Sequence, residues 1–283
     1  MFMNHNIGIM QGRLTPPKGR GIQFFPFDNW QMEFYMAQKI GLNEIEFIFD
    51  YDNYKDNPLW TSDGRAEIKE VVKKTGVKVN AVCFDYFMRR PFFKESDAQY
   101  EEIRKENSEL ISKVLEAMEQ LEIGLIEIPL VDDSSLKCDE EKEAFSKWLK
   151  EIVSYHTTIN FGLETDLNPT DFLQFIKSIG LPQVGANYDS GNSSGIGYDP
   201  YEEVTTLKDY IFNIHIKDRI YRGTTVQLGE GSANFEKLFF GLKEIGYCNN
   251  FILQAARGKE GEEKKNIYKQ KKFLSQLIDK YAL

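Results

Sequence analysis

The chain has 283 residues, of which 41% are hydrophobic and 28% charged, with a formal net charge of −9. That composition is ordinary for a folded globular protein and excludes a disordered or fibrous chain, while the length accommodates one large α/β domain. The acidic balance repels phosphate backbones, so nucleic acid and anionic membrane surfaces are not expected partners.

No Ser/Gly/Pro-rich linker or charge block divides the sequence, and residues 1–283 are read as one domain. Cys83, Cys138 and Cys248 are odd in number and far apart, which suits a reducing compartment better than a disulfide framework. The start, Met1-Phe2-Met3-Asn4-His5, lacks the basic and apolar regions of a secretion signal, and no run approaches roughly 18 apolar residues. A cytoplasmic protein is expected.

In chain order, Ile7 to Gln11 is a short apolar run closed by Gly12, and Trp30 to Ile40 has apolar residues at helical spacing before Gly41. Glu44 to Phe49 predicts a second strand, followed by a helix from Asp63-Gly64 through Lys74 and a third strand from Lys78 to Phe84. A loop with Tyr86, Phe87, Arg89 and Arg90 leads to a helix from Asp97 to Leu121. Leu125 to Leu130 is the fourth strand, Glu140 to Tyr155 a helix, and Asn160 to Glu164 the fifth strand. Asn168-Pro169-Thr170-Asp171 reads as a capped helix start that runs to Gly180. Val184 to Asp189 is the sixth strand and Pro200 to Leu207 a short helix. The stretch Ile211 to Arg219 is the seventh strand, delivering His215 and an Asp-Arg pair at its end. A helix from Asn234 to Ile245, an eighth strand from Phe251 to Gln254 and a helix from Lys265 to Tyr281 complete the chain.

Eight strands alternating with helices predict a (β/α)8 TIM barrel. Gly8, Gly12 and Gly19 do not give the G-x-G-x-x-G of a dinucleotide fold. Glu164, Asp189, His215 and Gln254 then stand at the ends of the last four strands, which a barrel makes neighbours. Carboxylates with one imidazole suit a divalent ion such as Mn²⁺, Mg²⁺, Co²⁺ or Zn²⁺, able to polarise a carbonyl and the hydroxyl beside it. Taken singly, each is equally well a polar cap on a strand.

The sequence resembles the xylose isomerase-like superfamily of sugar phosphate isomerases and epimerases. The resemblance rests on Ile7-Gly8-Ile9-Met10-Gln11-Gly12-Arg13-Leu14, Glu44-Ile45-Glu46, Gly162-Leu163-Glu164, Tyr188-Asp189-Ser190-Gly191-Asn192, His215-Ile216-Lys217-Asp218 and Leu228-Gly229-Glu230-Gly231. It implies that Glu164, Asp189 and His215 are metal ligands and that Glu164 is also the proton-transfer base. The family's fourth ligand, a second glutamate on the last strand, is replaced here by Gln254, whose oxygen can ligate but brings no charge and takes no proton. Weaker cation binding is expected, with isomerase or dehydratase chemistry ahead of two-base epimerisation.

Glu46 is expected to open onto the site, because an unpartnered carboxylate in an apolar strand is costly. Lys217 and Asp218 are expected to touch the ligand or to support His215. Of the arginines that follow strand ends, Arg13, Arg219 and Arg257 are the candidates for an anionic substituent such as phosphate. Tyr86, Phe87 and Tyr188 are read first as core, with a sugar-facing wall as the alternative, and His5 and His156 as structural.

The function expected is a divalent-metal-dependent isomerase or epimerase of a small sugar, sugar phosphate or polyol, working through an enediolate. The alternatives are a related dehydratase and a non-catalytic sugar-binding barrel with a degraded metal site. Nucleic acid and membrane are not expected partners, and the choice between a single chain and a homo-oligomer is left open.

Overall fold

In the computed structural model, which describes residues 6–94 and 97–283, the apolar runs become short strands buried on both faces. They are β1 (Ile7–Met10), β2 (Glu44–Ile48), β3 (Ala81–Cys83), β4 (Leu125–Leu130), β5 (Asn160–Thr165), β6 (Val184–Asp189) and β7 (Ile211–Ile216). A two-stranded antiparallel ribbon follows, β8 (Asp218–Arg219) with β9 (Thr225–Val226), and then β10 (Phe251–Leu253). β10 pairs in parallel with both β7 and β1, closing the order β1-β10-β7-β6-β5-β4-β3-β2. The fold is a TIM barrel, and every carboxyl-terminal strand end opens on one face.

Helices cover the outside because each presents one apolar stripe inward. In the helix Trp30–Ile40 the buried side chains are Trp30, Glu33, Phe34, Ala37 and Ile40, a helical repeat whose Trp30 meets Phe47 of β2 edge-on at 5.8 Å. Each large apolar side chain so buried stabilises the fold by roughly 2–3 kcal/mol. The helix stops at Gly41, whose φ of 72° is the left-handed cap that glycine adopts without a Cβ penalty. No described helix is long and apolar enough to cross a membrane.

Three local features differ from expectation. The third strand is only Ala81–Cys83, because Lys78 contributes a single bridge to Glu44 and Asn80 turns its amide to the Glu44 carboxylate. The stretch from Ile211 is broken after Ile216, and Asp218–Arg219 turns away into the ribbon. A helix at Ser190–Ile196 was not anticipated, since its Ser/Gly-rich sequence has no apolar period.

Candidate active site

The parallel register places Asp189 beside His215 across β6 and β7, and Glu164 one residue before the end of β5. His215 Nδ1 lies 3.3 Å from Glu164 Oε2 and 4.0 Å from Asp189 Oδ2. All three residues are buried, and one ligand atom from each lies within 4.8 Å of the others.

The other imidazole nitrogen is held from below. His215 Nε2 is 2.8 Å from Glu46 Oε1, and the second Glu46 oxygen accepts from Asn213 Nδ2 at 2.8 Å. Burial works against charge on His215, but the Glu46 and Glu164 carboxylates outweigh it and push its pKa well above the ordinary value. Beside this pair, burial and the nearby Glu164 push the pKa of the Glu127 carboxyl well above the usual range.

Amides set the orientation of the carboxylates. Glu164 Oε2 accepts from Asn187 Nδ2 at 2.9 Å, and Oε1 accepts from Asn192 Nδ2. Asp189 divides its oxygens: Oδ1 accepts from the Gly191 and Asn192 N–H groups at 2.8 Å each, capping the helix Ser190–Ile196. Its Oδ2 faces Lys217 Nζ at 3.2 Å. Lys217 reaches that position because residue 191 is glycine; a Cβ there would collide with the lysine chain.

Gln254 directly follows β10. Its Nε2 donates to Gln23 Oε1 at 3.0 Å, which leaves Oε1 buried and without a hydrogen-bond partner. Two carboxylates and one imidazole nitrogen form a donor group of the kind a divalent cation takes, and the orphaned amide oxygen belongs to a residue on the same cavity wall as Glu164. Glu164, Lys217, Arg219 and Gln254 share a cavity of about 750 Å³, whose wall also includes Gln23, Asp85, Glu127, Arg20 and Arg89.

Several expected site residues are employed elsewhere. Glu46 does not line the cavity; it is fully buried and its two oxygens are taken by His215 and Asn213. Asp218 accepts from the backbone N–H groups of Gly229 and Gly231 at 2.9 Å and of Ala233 at 3.0 Å, so it anchors the Leu228-Gly229-Glu230-Gly231 loop rather than reaching a ligand. Arg13 is buried, and donates to Ile22 O and, at 3.4 Å, to Gln23 Oε1. Burial, with Arg257 nearby, lowers its pKa to about 9.

Arg257 donates to Ile22 O and Thr15 O at 3.0 Å and to Gly12 O at 2.5 Å, and stacks over Phe24. Both arginines thus brace the loop after β1. Of the three named for an anion, Arg219 alone lines the cavity, where its Nη1 lies 3.1 Å from Asn192 Oδ1. Tyr86, Phe87 and Tyr188 are buried core residues that do not line it. His156 contacts Glu119 at 3.2 Å, and His5 lies outside the described residues. Sequence reasoning missed Gln23, Asp85, Asn187 and Asn192.

A family model described as xylose isomerase-like TIM barrel matches residues 34–277. L-ribulose-5-phosphate 3-epimerase UlaE of Escherichia coli is 24% identical to this chain, over 80% of this chain and 81% of that protein. Among solved structures, an L-ribulose 3-epimerase is similar with a TM-score of 0.76 at 12% identity, covering 98% of this chain and 96% of that one. The IOLI protein, solved with a binding zinc atom, gives a TM-score of 0.73 at 18% identity over 98% and 99% of the two chains. These two structural likenesses are of fold.

Proposed function

The chain belongs to the xylose isomerase-like TIM barrel family, and on that premise we propose that it is a divalent-metal-dependent 3-epimerase of a small ketose phosphate. The observation that carries the reading is the buried cluster of Glu164, Asp189 and His215, one ligand atom of each within 4.8 Å of the others, whose Glu164 shares a polar cavity with Gln254 and its partnerless Oε1. These four residues would hold a cation whose chemistry is to polarise a ketose carbonyl and the adjacent hydroxyl.

Glu164 is the base that removes the proton from the hydroxyl-bearing carbon next to the carbonyl. Asn187 and Asn192 fix its two oxygens for that step. Lys217, 3.2 Å from Asp189 and on the cavity wall, brings a positive charge that stabilises an enediolate. Arg219 at the cavity wall receives the phosphate. The named relative favours epimerisation over the isomerisation or elimination expected from Gln254 alone. Phosphorylated substrate and free thiols suit a cytoplasmic enzyme.

The test compares L-ribulose 5-phosphate with L-ribulose, with Mn²⁺ supplied and products identified by NMR. The phosphorylated ketose is converted to its C3 epimer with the higher kcat/KM. Arg219→Met raises KM for the phosphate about 10- to 100-fold, as loss of a charged hydrogen bond does, and leaves kcat nearly unchanged. Equal use of both ketoses rejects the phosphate assignment, and loss of water from the substrate identifies a dehydratase.

A further inference from the structure

Epimerisation delivers a proton to the face of the carbon opposite the one it left, and with glutamine at position 254 the four-residue site supplies a single proton-transfer base, Glu164. Resting on the 3-epimerase reading, we propose that Asp85 is the second acid–base residue, donating to and accepting from the face of C3 that Glu164 does not reach.

Asp85 lies two residues beyond β3 and lines the same cavity as Glu164 and Gln254. β3 is separated from β5 by β4 in the barrel, so the two carboxyl groups reach the cavity from strands about a quarter of the barrel apart. Gln23, on the loop after β1, ties Asp85 to the place of the missing carboxylate. Its Oε1 accepts from Gln254 Nε2 at 3.0 Å, while its Nε2 donates to Asp85 Oδ2 at 2.6 Å. Cys83 Sγ is 3.3 Å from Asp85 Oδ1 and steadies the other oxygen.

The other acids on the cavity wall are worse placed. Asp50 is half-buried with its Oδ1 taken by the Tyr51 N–H at 2.7 Å, Asp52 and Asp132 are exposed at the outer rim, and Glu127 is buried deeper in β4, two positions before the Pro129 that pairs with Glu164. Burial, with Asp50 nearby, raises the Asp85 pKa to about 6 against the hydrogen bond from Gln23, so both protonation states are accessible near neutral pH.

The balance of the step is simple. The Glu164 carboxylate takes the C3 proton, and the electron pair of the C3–H bond passes into the enediolate over C2 and C3. The Asp85 carboxyl gives its proton to the opposite face, a new C3–H bond forms, and the pair ends as Glu164 acid and Asp85 carboxylate. Exchange with water restores the starting state, and the reverse reaction exchanges the roles.

The experiment follows deuterium uptake at C3 from D₂O, using L-ribulose 5-phosphate and its C3 epimer separately with Mn²⁺ present. Wild-type protein labels both. Asp85→Asn, isosteric and still able to accept from Gln23, labels one epimer within about tenfold of wild type. It labels the other, and interconverts the two, at least about 100-fold more slowly. Asp85→Ala gives the same one-sided pattern, and both variants bind Mn²⁺ within about threefold of wild type by titration. Labelling of both epimers retained, or lost equally for both, overturns the assignment, as does loss of Mn²⁺ binding, which would make Asp85 part of the cation site. Wild-type protein that labels neither epimer overturns the 3-epimerase reading itself and this assignment with it.

Discussion

Glu46 decides which nitrogen His215 turns toward Glu164 and Asp189. With Nε2 held at 2.8 Å by that carboxylate, Nδ1 is the atom facing Glu164 and Asp189. A carboxylate behind a metal-binding histidine fixes the ring and raises its basicity, so Glu46→Gln lowers Mn²⁺ affinity about 10- to 100-fold, read by calorimetric titration. Unchanged affinity would mean that His215 is no ligand. Gln254→Glu places a third carboxylate at the free Oε1 position and tightens Mn²⁺ binding by at least about tenfold, since close opposite charges attract strongly in a partly desolvated site. The grouping of Glu164, Asp189 and His215 was legible because each lies at the end of a strand or one residue before it, on neighbouring strands. Asp218 and Arg13 were misassigned for a physical reason. Sequence does not reveal that the Asp218 oxygens are filled by three backbone N–H groups, or that Arg13 is spent on the carbonyl of Ile22. Gln23 and Asn187 carry no periodic signal, and their partners lie on other strands.

At the scale of the element, the barrel strands repeat the apolar runs, and four helices and strands match residue for residue: Trp30–Ile40, Leu125–Leu130, Val184–Asp189 and Pro200–Leu207. The ribbon after β7 was not legible, because Ile216 to Arg219 has the same composition whether the chain continues or turns. What decides is tertiary: Asp218 is pulled to the 229–233 amides. Asp218→Ala therefore frees that loop, with faster amide hydrogen exchange at Gly229, Gly231 and Ala233 and no change at β5 or β6. At the other end of the barrel Glu44 on β2 accepts from Asn80 and Asn250, yet burial raises its pKa to about 7. The folded state thus holds a proton that the unfolded chain releases near pH 4.5. Stability from this group is complete below that pH and is lost as pH rises through 7, by about 3 kcal/mol. Glu44→Gln keeps an acceptor for both amides, so thermal unfolding of the variant depends less on pH between 5 and 8 than that of wild type. An equal dependence would reject the assignment.

For the molecule as a whole, closure of eight strands brings residues far apart in the chain together: the loop after β1 contributes Gln23, β3 Asp85, β5 Glu164, β7 Lys217 and β10 Gln254 to one cavity, with Asp189 of β6 and His215 of β7 buried beside Glu164. The acidic surface repels anions at large, while Arg20, Arg89, Lys217 and Arg219 bring cationic groups to an opening that also carries Asp50, Asp52, Asp85, Glu127, Asp132 and Glu164. The fold class was legible from alternation and count alone; the cavity's floor of paired buried acids was not, since burial is a property of closure. The central claim is that a cation held by Glu164, Asp189, His215 and Gln254 is required for proton transfer at C3. It is tested most directly by NMR of L-ribulose 5-phosphate in D₂O, with chelator-stripped protein before and after one equivalent of Mn²⁺, beside His215→Asn. C3 labelling and epimer formation are expected only for wild type with Mn²⁺; labelling by stripped protein, or undiminished labelling by the variant, would overturn the role given to the cation.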